Sequence, residues 1–129
     1  MPTKRKLASQ LQVHCQDLDC INQIIQQYFE GLHFADVTKL QAIFHPDTVL
    51  KAPNVRRTLN EWLSLVSKRD IPAVNGATFD YRVISIDVVN NQAMVKLLCP
   101  LLDNEYLDFI GLLKENGKWL IVNKMYADY

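Results

Sequence analysis

The sequence has little glycine, proline or cysteine, and it has no long apolar run. Its 129 residues include 4 glycines, 5 prolines and 3 cysteines. No stretch reaches the roughly 20 consecutive apolar residues of a membrane-spanning helix, and the N-terminus lacks the continuous apolar core of a secretory signal. An odd and sparse set of cysteines does not build a disulfide framework and is typical of a reducing compartment. The chain is therefore predicted to be cytoplasmic, with no membrane partner.

An excess of charge of either sign is also missing. The 14 basic and 14 acidic residues leave a formal net charge of zero, so there is no global electrostatic signature of nucleic-acid binding. The spacing of His14, Cys15 and Cys20 matches none of the paired zinc-binding patterns. The sequence therefore predicts no metal site, no cofactor and no nucleic-acid partner.

Helical periodicity marks the first part of the chain. Residues 1–16 are polar and are interpreted as an N-terminal arm, and residues 17–129 have the length of a single domain. Asp17 is a suitable N-cap for a first long helix, because apolar residues follow it at three- and four-residue steps. The buried side of that helix is predicted to hold Leu18, Ile21, Ile25, Tyr28, Phe29 and Leu32.

Two shorter helices are predicted after the first. Asp36 caps one of them, and His45-Pro46 ends it because the residue before a proline is disfavoured in the α region. Thr58 and Glu61 have the spacing of a capping box and begin the other. A short strand at residues 48–52 is predicted between them.

Antiparallel strands are predicted for the rest of the chain. Residues 79–89 and 92–101 form one hairpin around Asn90-Asn91, because asparagine tolerates the left-handed conformation. Residues 106–126 form a second hairpin around Asn116-Gly117, the dipeptide that best supplies a type I′ turn. Helices followed by an antiparallel meander indicate an α+β domain with helices covering one face of the sheet.

The register of the second hairpin follows from its turn. If Glu115 faces Lys118, then Asp108 faces Met125 and shares one face with Tyr106 and Asn123, while Lys124 and Tyr126 occupy the other. Both faces are largely apolar, so both need a cover. We expect the helices to cover the Asp108 face and a second copy of the chain to cover the outer face. A bulge of one residue would exchange these assignments.

Three short strings resemble a known family. They are Tyr28-Phe29-Glu30-Gly31, Phe44-His45-Pro46-Asp47 and GKWLIVNK from Gly117 to Lys124. With the order of elements between residues 17 and 126, they resemble the putative lumazine-binding family of the nuclear transport factor 2-like superfamily. The resemblance implies a cone, in which a strongly curved, mixed or antiparallel sheet wraps around the first long helix and leaves a pocket at its open end. Relatives include ketosteroid isomerases, scytalone dehydratases and noncatalytic modules, so the fold alone does not select a function.

Asp108 is the candidate catalytic residue, since the register places this carboxylate on a mostly apolar face. A carboxylate shielded from water can act as a general base, with His45 or Tyr106 as the acid. Alternatively, Asp108 is paired or hydrated near a sheet edge and only shapes the fold. His45 also suits a helix end, where it interacts with backbone carbonyls and the helix dipole.

Aromatic side chains are the candidate ligand contacts. Flat ligands bind to aromatic surfaces that carry a few polar groups, and the candidates are Tyr28, Phe44, Trp62 and Phe79, together with Asn123. The same spacing is typical of core residues, and Asn123 can instead satisfy Asp108.

Three functions remain open at this point. The first is a homodimeric small-molecule-binding protein with an apolar and aromatic pocket. The second is a cofactor-independent lyase or isomerase acting on a small cyclic or carbonyl compound. The third is a noncatalytic protein-interaction module that docks through its exposed sheet. A closed cavity would favour the first two hypotheses, and a filled one would favour the third.

Overall fold

A computed structural model describes the backbone of residues 4–128 and the side chains of residues 16–128. Three helices and six strands follow one another in the chain. Their bounds are α1 (Lys4–Phe34), α2 (Val37–Ile43), β1 (Phe44–Ala52), β2 (Val55–Thr58), α3 (Leu59–Lys68), β3 (Arg82–Val89), β4 (Gln92–Leu101), β5 (Asn104–Glu115) and β6 (Lys118–Asp128). No helix in this part of the chain is long and apolar enough to cross a membrane.

The two short helices begin where their caps predict. The Asp36 carboxylate accepts a hydrogen bond from the backbone N–H of Lys39 at the start of α2. Thr58 and Glu61 form the complete capping box of α3. Since each cap satisfies backbone donors that the helix itself leaves free, these boundaries are set by local sequence.

The predicted start of the first helix is wrong. Helix α1 runs from Lys4, so Asp17 lies inside it and is not an N-cap. Asp17 instead accepts a hydrogen bond of 3.0 Å from Trp119 Nε1 and pairs with Lys114 at 3.0 Å. These contacts tie α1 to the β5–β6 hairpin, and no local pattern announces them. The division between residues 1–16 and 17–129 stays a prediction.

The six strands form a single mixed sheet of order β2-β1-β6-β5-β4-β3. All neighbours are antiparallel except β1 and β6, which are parallel. Strand β1 begins at Phe44, earlier than predicted, so His45 lies in a strand rather than at the end of a helix. Strand β2 was not predicted; it pairs with β1 through Leu50 and Arg57.

The β5–β6 turn is confirmed and the register beyond it is only half right. Asn116 and Gly117 have φ values of 53° and 76°, as a type I′ turn requires. Pairing follows the prediction from Glu115–Lys118 to Leu112–Ile121, and then Val122 forms a bulge.

The bulge reverses the faces of the remaining part of β6. Gly111 pairs with Asn123, Ile110 with Lys124, and Asp108 with Tyr126. The predicted pairing of Asp108 with Met125 is therefore wrong, because one unpaired residue shifts every later side chain to the other face.

The β3–β4 hairpin has the predicted register near its turn. Val89 pairs with Gln92, and Ile86 pairs with Val95. A second irregularity between Val83 and Ser85 leaves Ile84 half-exposed. Only the end next to the turn therefore follows simple alternation.

A hydrophobic cluster joins the helices to one face of the sheet, called the inner face below. Its most deeply buried members are Ile21, Ile25, Tyr28 and Leu32 from α1, Leu40 from α2, Val66 from α3, and Leu50, Val95, Leu97, Ile110, Leu112 and Ile121 from the sheet. Asp108 lies on this face and is 2% exposed. The opposite face, called the outer face, carries Met94, Phe109 and Met125, all of which are exposed.

Candidate functional site

A cavity of about 360 Å³ opens between α3 and the inner face of the sheet. Its wall combines apolar and aromatic side chains with four charged ones, and residues from α1, α3 and four strands contribute. The lining residues are Leu32, Arg57, Trp62, Leu65, Arg69, Cys99, Leu101, Leu102, Tyr106, Asp108, Lys124 and Tyr126.

A buried carboxylate and a buried phenol lie at one side of this cavity. The Tyr28 Oη donates a hydrogen bond of 2.7 Å to Asp108 Oδ2. Burial and the neighbouring Asp108 both raise the pKa of Tyr28 well above its usual value, so the phenol keeps its proton and remains a donor. Since Tyr28 is fully buried in α1, this bond fixes the carboxylate against the helix.

Lys124 is the second partner of the carboxylate. Its Nζ lies 3.9 Å from Asp108 Oδ2 and 4.4 Å from the centre of the Trp62 ring. The Tyr28 and Tyr126 rings are 5.3 Å and 5.5 Å away, so aromatic faces surround the ammonium group. Burial lowers the pKa of Lys124, although Asp108 opposes the shift.

Two arginines add further positive charge to the cavity wall. Arg57, on β2, donates a hydrogen bond of 2.7 Å from Nη1 to Tyr126 Oη. Arg69 follows the last turn of α3, where its backbone N–H bonds to Leu65 O. The Nη2 atom of Arg69 is buried and has no hydrogen-bond partner among the described residues. Burial lowers the pKa of Arg69, yet a guanidinium remains charged at neutral pH.

Cys99 supplies the thiol in the cavity wall. It is 1% exposed, and burial together with Asp108 raises its pKa well above the usual value. A thiol held in the protonated form is a poor nucleophile. Cys99 therefore contributes a small, weakly polar surface rather than a reactive group.

The structure brings together part of the predicted site. Asp108, Tyr106 and Trp62 line the cavity, and Tyr28 is bonded to Asp108. Phe44 lies behind Trp62, with ring centres 5.4 Å apart, and belongs to the core. Whether these residues bind or transform a ligand stays a prediction.

Three other predicted residues lie elsewhere. His45 is half-buried and its Nδ1 lies 2.6 Å from Asp47 Oδ1, outside the cavity lining. Phe79 packs against His33 with ring centres 5.0 Å apart. The bulge at Val122 places Asn123 opposite Gly111 on the outer face. Its carboxamide there accepts a bond of 3.0 Å from Lys51 Nζ.

Sequence reasoning missed Arg57, Arg69, Cys99 and Lys124 as cavity residues. Strand β2 and the end of α3, which present the arginines, carry no motif of their own. Lys124 was assigned to the outer face because the register was continued through the bulge. The Gly111 opposite the bulge was the one available signal, since glycine inside a strand often marks such an irregularity.

Residues 16–128 contain no cluster of three or more histidine, cysteine, aspartate or glutamate side chains with metal-binding geometry. The side chains of His14 and Cys15 lie outside the described residues.

Sequence comparison identifies one family. A family model described as putative lumazine-binding matches residues 16–127. No functionally curated protein matches the sequence at a significant level.

Solved structures share the fold. An NTF2-like protein of unknown function from Shewanella baltica OS155 superposes with a TM-score of 0.78 at 21% identity, covering 89% of this chain and 95% of that one. A second NTF2-like protein of unknown function, from Silicibacter pomeroyi DSS-3, superposes with a TM-score of 0.73 at 16% identity and covers 90% of this chain and 98% of that one. A Caulobacter vibrioides protein with a cystatin-like fold superposes with a TM-score of 0.60 at 15% identity and covers 87% of this chain and 89% of that one. These similarities establish an NTF2-like, cystatin-like α+β fold.

Proposed function

The chain belongs to the putative lumazine-binding family, and from this premise we propose that it is a small-molecule-binding protein whose ligand occupies the inner-face cavity. The observation that carries the proposal is the cavity of about 360 Å³, with aromatic walls and a few charged groups. Ligand sites commonly have this composition and volume. The ligand itself is not specified by the family name, and lumazine is only one flat compound to be tested.

Tryptophan fluorescence tests this proposal directly. Trp62 lines the cavity, whereas Trp119 is buried beside Asp17, so a Trp119→Phe variant keeps one tryptophan at the site. We expect a saturable change in its emission with ligands recovered from the purified protein or drawn from a panel of flat heterocycles. A Trp62→Phe variant is the matched control and should show no such change. Absence of any binder, by fluorescence and by native mass spectrometry, would contradict the proposal.

A second candidate function is general acid–base catalysis on a small cyclic or carbonyl compound. It is favoured by the buried Asp108 carboxylate at the cavity wall, with Tyr106 as a possible proton donor on the same strand face. Such a base would exchange the proton next to a carbonyl group for deuterium from solvent. We expect an Asp108→Asn variant to abolish that exchange in a bound ketone, as followed by NMR. Equal exchange in wild type and variant would exclude this role.

We also propose that two copies of the chain pair through the outer face. Phe109 and Met125 lie opposite each other in the register of β5 and β6, and both are exposed, as is Met94 on β4. An apolar sheet surface of this kind can cover itself in a two-fold dimer. Light scattering should show a dimer for wild type and a monomer for Phe109→Lys. Val74→Lys, at an exposed apolar residue outside the sheet, should leave the mass unchanged. A wild-type monomer would contradict the pairing and leave a different protein as the partner of this face.

A further inference from the structure

We infer that the cavity binds a small aromatic acid, whose carboxylate is held by Arg57 and Arg69 while its ring packs among the aromatic side chains of the lining. The inference rests on the proposed ligand-binding function and narrows it to one chemical class.

The charge of the cavity wall is the first argument. The lining includes three cationic side chains, Arg57, Arg69 and Lys124, and a single carboxylate, Asp108. The chain as a whole has a net charge of zero, so the excess of positive charge is a local feature. A cleft lined by an excess of one sign of charge focuses the field of those charges and favours an anion.

The partners of these cations give the second argument. Asp108 is already bonded to Tyr28 and lies 3.9 Å from Lys124. Arg57 bonds to the neutral hydroxyl of Tyr126. Neither arginine has a carboxylate within ion-pair distance among the residues that the structure describes. Asp108 therefore acts on Arg69 only from beyond ion-pair distance, and among these residues neither guanidinium has a directly paired carboxylate.

The orphaned donor on Arg69 is the third argument. A guanidinium has five N–H donors, and leaving a buried donor without a partner is costly. The buried Nη2 of Arg69 is the only such unpaired side-chain atom found between residues 16 and 128. A carboxylate bound against the accessible edge of this guanidinium would neutralise its charge, because arginine and carboxylate match in planar geometry.

The rest of the lining determines the remainder of the ligand. Tyr106 and Tyr126 offer ring surfaces, Trp62 offers the small part of its ring that is exposed, and Leu32, Leu65 and Leu101 offer aliphatic surfaces. This surface suits a flat apolar body rather than a sugar or a polyphosphate. A neutral isostere would bring no negative charge to the two arginines, so the site discriminates against it.

Isothermal titration with matched probes tests the inference. 1-Naphthoate, 1-naphthylmethanol and 1-naphthylmethylamine have similar shapes and differ in charge. For the wild-type protein we expect the carboxylate to bind at least about 10-fold more tightly than the alcohol, the scale of one charged hydrogen bond. The amine should bind more weakly than the alcohol. Raising the salt concentration should reduce the preference for the carboxylate.

Arginine variants locate the effect. Arg69→Met and Arg57→Met should each reduce naphthoate affinity by about 10-fold or more and leave the affinity for the alcohol nearly unchanged. Arg56→Met is the matched control, because Arg56 is exposed and, among the residues that the structure describes, donates to the backbone carbonyls of Ala52 and Val55. It should bind both probes like wild type. Arg69→Lys retains the positive charge but not the planar guanidinium, and it replaces Arg69→Met in this test if Arg69→Met does not fold.

Different outcomes would contradict this inference and the proposed ligand-binding function on which it rests. Equal binding of the acid and the alcohol by wild type would overturn the inference and leave ligand binding intact. If none of the three probes binds and a different compound binds at Trp62, the inference is likewise overturned and ligand binding is left intact. A preference for the acid that survives both arginine substitutions would also overturn it, because another group would then hold the carboxylate.

Discussion

Tyr28 and Asp108 are separated by 80 positions in the chain and joined by a hydrogen bond of 2.7 Å. One belongs to α1 and the other to β5, and both are buried. Because Asp108 also faces the cavity, the bond contributes both to the packing of the helix on the sheet and to the position of the carboxylate. The packing of α1 on the sheet and the wall of the cavity therefore share this residue.

A Tyr28→Phe substitution measures the value of that bond. It leaves a buried carboxylate with one donor fewer, and we expect the free energy of unfolding to fall by about 1.5–3 kcal/mol. Urea denaturation followed by circular dichroism gives the number. Tyr126→Phe is the control. Its hydroxyl accepts a hydrogen bond from Arg57 at a half-buried position, where water can replace the lost partner, so we expect a cost below about 1 kcal/mol. Equal losses in the two variants would contradict the expectation that the buried bond from Tyr28 to Asp108 stabilises the fold more than the half-buried bond does.

Lys124→Met tests the buried ion pair. Removing the ammonium leaves Asp108 without its positive neighbour, and we expect a loss of about 3–5 kcal/mol, as for other broken buried pairs. The double variant Asp108→Asn/Lys124→Met no longer contains a buried charge at this point, while its carboxamide oxygen can still accept from Tyr28. Its loss of stability should be smaller than the sum of the two single-variant losses by more than about 1 kcal/mol. Additivity within about 0.5 kcal/mol would show that the two side chains do not interact.

Local signals predicted the helix starts that depend on caps. Asp36 and the Thr58–Glu61 pair were found because each capping hydrogen bond joins residues that are three positions apart in the chain. Asp17 had the same local character and was misassigned, since its partners Lys114 and Trp119 come from the far end of the chain. A possible cap and a buried acceptor look alike until the fold is known.

The bulge explains why only part of the cavity lining was predicted. Asp108 was placed correctly because β5 alternates without interruption through it, but β6 contains Val122, which has no partner in the ladder. One residue therefore exchanged Asn123 and Lys124 between the faces. The two arginines were unpredictable for a different reason, because they reach the cavity from elements that meet only in the folded protein.

Gly31→Ala tests the close approach of α1 and α2. A methyl group at position 31 would lie 2.5 Å from Leu40 Cδ2, and Leu40 is fully buried. Alanine in place of glycine normally stabilises a helix by about 1 kcal/mol, whereas here we expect a loss of about 1–3 kcal/mol from overpacking. In a Leu40→Ala background the clash is absent, and the same substitution should be neutral or stabilising. A gain in stability in the wild-type background would contradict the close contact.

Tyr81 makes the stability of the folded protein depend on pH in the alkaline range. Its hydroxyl lies 3.0 Å from His33 Nδ1, and burial, with a smaller contribution from Cys99, raises the pKa of Tyr81 to about 12. A tyrosine in the unfolded chain has a pKa of about 10. Between these values the folded state binds more protons than the unfolded state, so the stability from Tyr81 is complete below pH 10 and is lost as the pH rises through 12.

A Tyr81→Phe variant removes that dependence. We expect the difference in free energy of unfolding between wild type and variant to shrink steadily from pH 10 to pH 12, as measured by urea denaturation at several values of pH. Leu63→Val is the control, because it changes a buried apolar residue of α3 and its cost should not vary over this range. A constant difference between wild type and Tyr81→Phe would show that Tyr81 titrates alike in the folded and unfolded chains.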